Sequence, residues 1–138
     1  MNLDLAFDEL LPAPVDAVWD ALTDAAAISD WLMTTPDFRA QVGVRFMMKT
    51  THGAEDGWVR AEVLELEPPR RMVWAWSVGD RYPPTTVTFE LTPEAGGTRL
   101  KLTHVGEVEP FLVDLFRNGW PGRIELLTSV AQRRSDDE

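Results

Sequence analysis

The chain contains two histidines, His52 and His104, and no cysteine. Disulfides, thiolate nucleophiles and Cys-ligated metals are therefore excluded. A metal centre needs ligating side chains clustered at characteristic spacing, and neither an HxH nor an HExxH pattern occurs. Gly96-Gly97 lies between two strand-like runs, where it reads as a hairpin turn and not as a phosphate-cradling loop before a helix. Ser29, Ser77, Ser129 and Ser135 sit in no nucleophile elbow, and no paired-carboxylate motif stands out among the acidic residues. No metal and no cofactor is expected.

His104 deserves separate treatment. It closes the alternating series Leu100, Leu102, His104, so it points to the apolar side of its strand. One reading is a core histidine satisfied by backbone. The other is a polar anchor for a ligand, or a general acid/base.

Six tryptophans in 138 residues are the unusual feature. Trp19 reads as core. Trp74 and Trp76 share a strand face with Met72. Large rings side by side fit the wall of an apolar pocket that also offers N–H donors. Met47 and Met48 supply adaptable apolar surface or ordinary core filling. Arg81 and Tyr82 fall in a loop, where solvated side chains are the ordinary outcome and a place at a pocket mouth is the alternative.

These residues need elements to hold them. Leu3, Leu5 and Phe7 alternate with polar or small residues as in a half-buried strand. Pro14 opens a short helix carrying Val15, Val18, Trp19 and Leu22. Asp24 is a natural N-cap for a second helix carrying Ile28, Trp31 and Leu32, and Thr34-Thr35-Pro36-Asp37 ends it. Strands follow: Val44, Phe46 and Met48; then residues 58–67, reached through a turn at 52–57; then Met72, Trp74 and Trp76; then Val87, Phe89 and Leu91; then Leu100, Leu102 and His104. Within 58–67 the apolar phase passes from Val59, Ala61 and Val63 to Leu64 and Leu66, as at a β-bulge. The last third is helical. Phe111, Leu112, Leu115 and Phe116 form one stripe, Gly119-Trp120-Pro121-Gly122 predicts a kink or fresh start, and Trp120, Ile124, Leu127 and Ala131 continue the apolar face.

The expected architecture is a single α+β domain over residues 1–138. A curved antiparallel sheet of about six to seven strands wraps a long C-terminal helix, with two short helices after the first strand. Residues 134–138 are polar and expected to fray. The candidate pocket lies between sheet and helix. Its wall is drawn from Trp31, Phe46, Met48, Met72, Trp74, Trp76, Phe89, His104, Trp120 and Ile124.

With 13 basic and 23 acidic residues, the formal charge is −10. That charge repels nucleic-acid phosphates and anionic membrane surfaces, so neither is an expected partner. The N-terminus lacks a signal-peptide pattern, and no apolar run approaches the ~20 residues of a membrane span. A cytoplasmic protein is the expectation. Composition favours neither monomer nor homodimer.

The order of elements resembles the helix-grip fold of the START-like (SRPBCC) superfamily, and within it the single-domain bacterial form of the activator of heat-shock-protein-90 ATPase homologue family. The resemblance rests on Pro12 to Trp19 with Leu22-Thr23, Trp31-Leu32, Gly57 with Val63 to Arg70, Val73 to Trp76, Val87 to Leu91, Gly97 to Leu100 with Thr103-His104, and Gly119-Trp120-Pro121. It implies a cavity for a small apolar or amphipathic molecule, hence a carrier or sensor. It also implies two alternatives: a cyclase or hydratase-type enzyme using His104 as acid/base with a nearby carboxylate, and a chaperone-related interaction domain. The eukaryotic activator carries an extra N-terminal docking domain for which this chain has no room, so chaperone activation by this chain alone is not expected.

Overall fold

A computed structural model describes residues 1–50, 57–79 and 81–136. The expected turn at 52–57, with His52, lies outside the described residues except for Gly57. The elements are β1 (Asn2–Leu11), α1 (Val15–Thr23), α2 (Ala25–Trp31), β2 (Arg45–Lys49), β3 (Trp58–Glu67), β4 (Arg71–Ser77), β5 (Thr85–Glu94), β6 (Gly97–Glu107) and α3 (Pro110–Asp136). The strands form one six-stranded sheet in the order β1-β6-β5-β4-β3-β2, antiparallel throughout. This is the expected α+β helix-grip architecture, with the long C-terminal helix lying against the curved sheet.

The local signals act as their chemistry predicts. Pro14 is the N-cap of α1. The Asp24 carboxylate accepts from the Ala27 N–H at 3.2 Å and caps α2. The register of β3 against β4 shifts between Val63 and Glu65, which is the bulge. Only half of the expected phase change follows from it. Leu66 turns inward to pair with Met72, whereas Leu64 is the extra residue and is 41% exposed.

α3 also departs from expectation. It is helical through Pro121 without a break. Pro121 and Arg117, whose carbonyl loses its intrahelical donor, both lie on the exposed side. Water can therefore replace the missing bond. Burial of Trp120 and Ile124 on the other side holds the helix on the sheet. The end expected to fray is helical as far as Asp136, and Arg134 donates to Asp24 Oδ2 at 2.6 Å. Phe111 leaves the apolar stripe and is 60% exposed, while Val113 is buried in its place.

The core under α3 is aromatic. Phe46, Trp74 and Phe89 lie on three strands of one concave face. Trp74 meets Phe46 at 5.1 Å and Phe89 at 4.9 Å, both edge to face. Trp31 from α2 stands edge-on to Phe89 at 6.3 Å and donates its indole N–H to the Ala21 carbonyl at 2.8 Å. Such tilted contacts let large rings fill a core densely.

Candidate functional site

Trp76, near the end of β4, marks where the sheet and α3 part. On one side lies a cavity of about 540 Å³. Its walls are the β4–β5 connection (Val78, Gly79, Arg81, Tyr82, Pro83), Thr85, the end of β6 at Glu107 with Val108 and Glu109, and the first turns of α3 at Phe111, Leu112 and Phe116. On the other side a smaller cavity of about 230 Å³ is walled by Leu32, Met33, Thr50, Val59, Leu115, Gly119, Trp120 and Arg123. Trp76, Val78, Leu112 and Phe116 border both. The larger volume falls in the range that holds a small organic molecule, roughly 300–1,000 Å³.

The described charges at the larger mouth are met by partners. Arg81 Nη1 lies 2.7 Å from Glu109 Oε1, and the N-terminal ammonium lies 3.3 Å from Glu107 Oε2. The deeper walls are uncharged.

Behind the wall sits His104, fully buried at 0% exposure. Its hydrogen bonds fix its state. The Trp120 indole can only donate, and its Nε1 lies 3.1 Å from His104 Nδ1. Nδ1 is therefore the bare acceptor, and the proton resides on Nε2. Nε2 donates to Thr85 Oγ1 at 2.8 Å, and that hydroxyl passes its own proton to the Trp76 carbonyl at 3.0 Å. Burial pushes the His104 pKa down from 6.5 to about 3. The imidazole is neutral, and both of its nitrogens are committed. Among the described residues no carboxylate is its partner.

Gly106 is part of this arrangement. It adopts φ +148°, and a Cβ there would approach Thr85 Cγ2 to 2.8 Å. The bare backbone lets β6 come close enough for His104 and Thr85 to bond.

Of the expected wall residues, Trp76 and Trp120 line the cavities. His104 stands one layer back, bonded to two lining residues, Thr85 and Trp120. Trp31, Phe46, Met48, Met72, Trp74, Phe89 and Ile124 are buried in the core and border neither of these two cavities. The physical reason is the cover over this part of the sheet. Trp31 seats on Phe89, and Phe38 lies 5.9 Å from Trp74. Arg81 and Tyr82 stand at the cavity mouth, not in a merely solvated loop.

Thr85, Leu112, Val78 and Phe116 were missed as wall residues. Thr85 had a signal, since it shares the phase of Val87, Phe89 and Leu91. The others had none beyond apolar character. Trp74 Nε1 and Trp76 Nε1 are buried without a hydrogen-bond partner among the described residues. Among the described residues no three His, Asp or Glu side chains cluster as metal ligands would, and no helix is long and apolar enough to cross a membrane.

A six-stranded sheet gripping a long helix, with a cavity where they diverge, defines a START-like domain. The family of Activator of Hsp90 ATPase homolog 1-like proteins matches residues 12–132, and the chain belongs to that family. Among solved structures it is similar to protein MLL2253 from Mesorhizobium loti, with 29% identity, a TM-score of 0.82, and coverage of 94% of this chain and 97% of that one. It is similar to CalU16 from Micromonospora echinospora, with 27% identity, a TM-score of 0.72, and coverage of 97% and 84%. It also shares its fold with DynU16, a protein of the dynemicin biosynthetic locus, at 24% identity and a TM-score of 0.78, covering 94% of this chain and 47% of that one. No curated protein matches it significantly.

Proposed function

We propose that this protein binds a small apolar or amphipathic molecule in the cavity between the β4–β5 connection and the first half of α3, as a carrier or sensor in the cytoplasm. The observation that carries this reading is the cavity of about 540 Å³ bordered by Trp76, Leu112 and Phe116. Its apolar walls would supply most of the affinity, at roughly 25 cal/mol per Å² buried before association costs. The neutral, doubly bonded His104 favours binding over acid/base catalysis, because a proton-transfer group needs a free nitrogen facing the substrate. A chaperone partner has support only from the family description.

The test is calorimetric titration of the purified protein with a neutral tricyclic hydrocarbon such as fluorene, together with mass spectrometry of an organic extract of the protein as purified. Saturable one-site binding is expected. No measurable binding and no co-purifying small molecule would sink the reading.

A further inference from the structure

The polar groups around the cavities differ in what they have left to offer. Arg81 and Glu109 satisfy each other, and Glu107 is held by the N-terminal ammonium. The Thr85 hydroxyl, both His104 nitrogens and the Trp120 N–H are committed to one chain of hydrogen bonds. Tyr82 is half-buried at the mouth, where water can reach its hydroxyl, and Arg123 is exposed. The exception is Trp76. Its ring borders both cavities, the residue is 3% exposed, and its N–H has no partner among the described residues. A buried donor left unpaired is costly, and such groups call for an explanation.

Trp74 makes the contrast. Its N–H is also unpartnered, but its ring is enclosed by Phe38, Phe46 and Phe89 and borders neither cavity. Trp76 borders both cavities, and Trp74 is surrounded by rings.

We infer that Trp76 supplies the hydrogen bond by which the cavity selects its ligand, and that the ligand's matching group is an uncharged acceptor of the ketone, quinone or ester-carbonyl type on an apolar body. The inference rests on the binding role proposed above. A carbonyl oxygen answers a lone N–H donor without bringing a charge into a dry site, whereas a carboxylate would be desolvated with no cation at that depth. The N–H is covered in this conformation. Phe116 is half-buried, stands edge-on to Trp76 at 5.9 Å, lies tilted against the His104 ring at 4.6 Å and borders both cavities. On this proposal the ligand displaces Phe116 to reach the Trp76 N–H.

Three probes of one shape test this: fluorene, 9-fluorenone and fluorene-9-carboxylate, each titrated calorimetrically into the full chain. Fluorenone should bind about tenfold more tightly than fluorene, the worth of one neutral hydrogen bond in a desolvated site. In Trp76→Phe fluorene should lose affinity only through the smaller wall ring, and the preference for fluorenone should vanish. Should that variant fail to fold, the indole N–H resonances of the wild-type protein, assigned by NMR, answer the same question. The Trp76 resonance should move with fluorenone and not with fluorene, and that of Trp74 should stay in place. Equal affinity for fluorene and fluorenone, or tighter binding of the carboxylate, would overturn the inference and leave the binding role standing. Failure of all three to bind would overturn it too, and, with no small molecule co-purifying, would remove the binding role as well.

Discussion

The Trp120 indole N–H donates to His104 Nδ1 at 3.1 Å, and this single bond decides which nitrogen of the imidazole carries the proton. Trp120 belongs to α3 and His104 to β6, so the bond also ties the long helix to the sheet. The proton on Nε2 then reaches Thr85, and through the Thr85 hydroxyl the chain ends on the backbone of β4. Helix, β6, β5 and β4 are joined by three hydrogen bonds directly behind the cavity wall.

Removing the donor should expose the worth of this link. In Trp120→Phe the ring volume is largely kept, but His104 Nδ1 loses its only donor among the described residues. A loss of about 1–3 kcal/mol is expected, the cost of leaving a buried polar atom unsatisfied. Urea denaturation at neutral pH measures it. A change within about 0.5 kcal/mol, the size of an ordinary surface substitution, would show that the bond is energetically idle.

The buried imidazole also makes stability depend on pH. Its pKa is about 3 when folded against the usual 6.5, so the unfolded chain takes up a proton that the native state refuses. The stabilising effect of a neutral His104 is complete above pH 6.5 and is lost as pH falls toward 3. The stability difference between wild type and His104→Gln should therefore shift against the wild type by about 1.4 kcal/mol per pH unit on acidification. Denaturant midpoints of both proteins between those two pH values provide the measurement. Parallel pH profiles would mean that His104 titrates normally in the folded protein.

Gly106→Ala should disturb the same network from the backbone side. The added methyl would stand 2.8 Å from Thr85 Cγ2 and 3.1 Å from Thr85 Cα, at a φ of +148° that side chains rarely adopt. Thr85 must then move from His104 or β6 must move from β5. A destabilisation of about 1–3 kcal/mol is expected, as for other overpacked sites. The His104 ring resonances should shift with it. A variant as stable as the wild type, with unmoved resonances, would contradict this account.

Val78→Trp separates the cavity from the core. Val78 borders both cavities yet is only half-buried, just after β4. The larger side chain should occupy cavity space and reduce fluorene binding at least about tenfold, while the unfolding free energy stays within about 1 kcal/mol of wild type because the added ring takes up open space beside a half-buried residue. Undiminished binding would place the ligand elsewhere on the protein.

Much of this fold could be read from residue order alone. Alternation placed Met72, Trp74 and Trp76 on one face, put His104 on the inward side of β6, and showed a bulge in β3 through the apolar run at Val63 to Leu66. Asp24 announced the start of α2 because capping is a local bargain between one side chain and the next turn. Periodicity works for such features since neighbours in sequence determine them.

The site itself was settled by distances across the chain. Trp74 and Trp76 are two residues apart on one face, with the same side-chain chemistry and the same unpaired N–H. One is surrounded by rings and the other borders open space, because Phe38, Phe46 and Phe89 pack around Trp74, while α3 and the β4–β5 connection diverge at Trp76. The partners of His104 lie 16 and 19 residues away, and the Arg134–Asp24 bond spans 110. Strand phase tells which side of the sheet a residue faces. Whether that side meets packed rings or a cavity depends on how far the helix stands from the sheet at that level, and only the tertiary structure sets that distance.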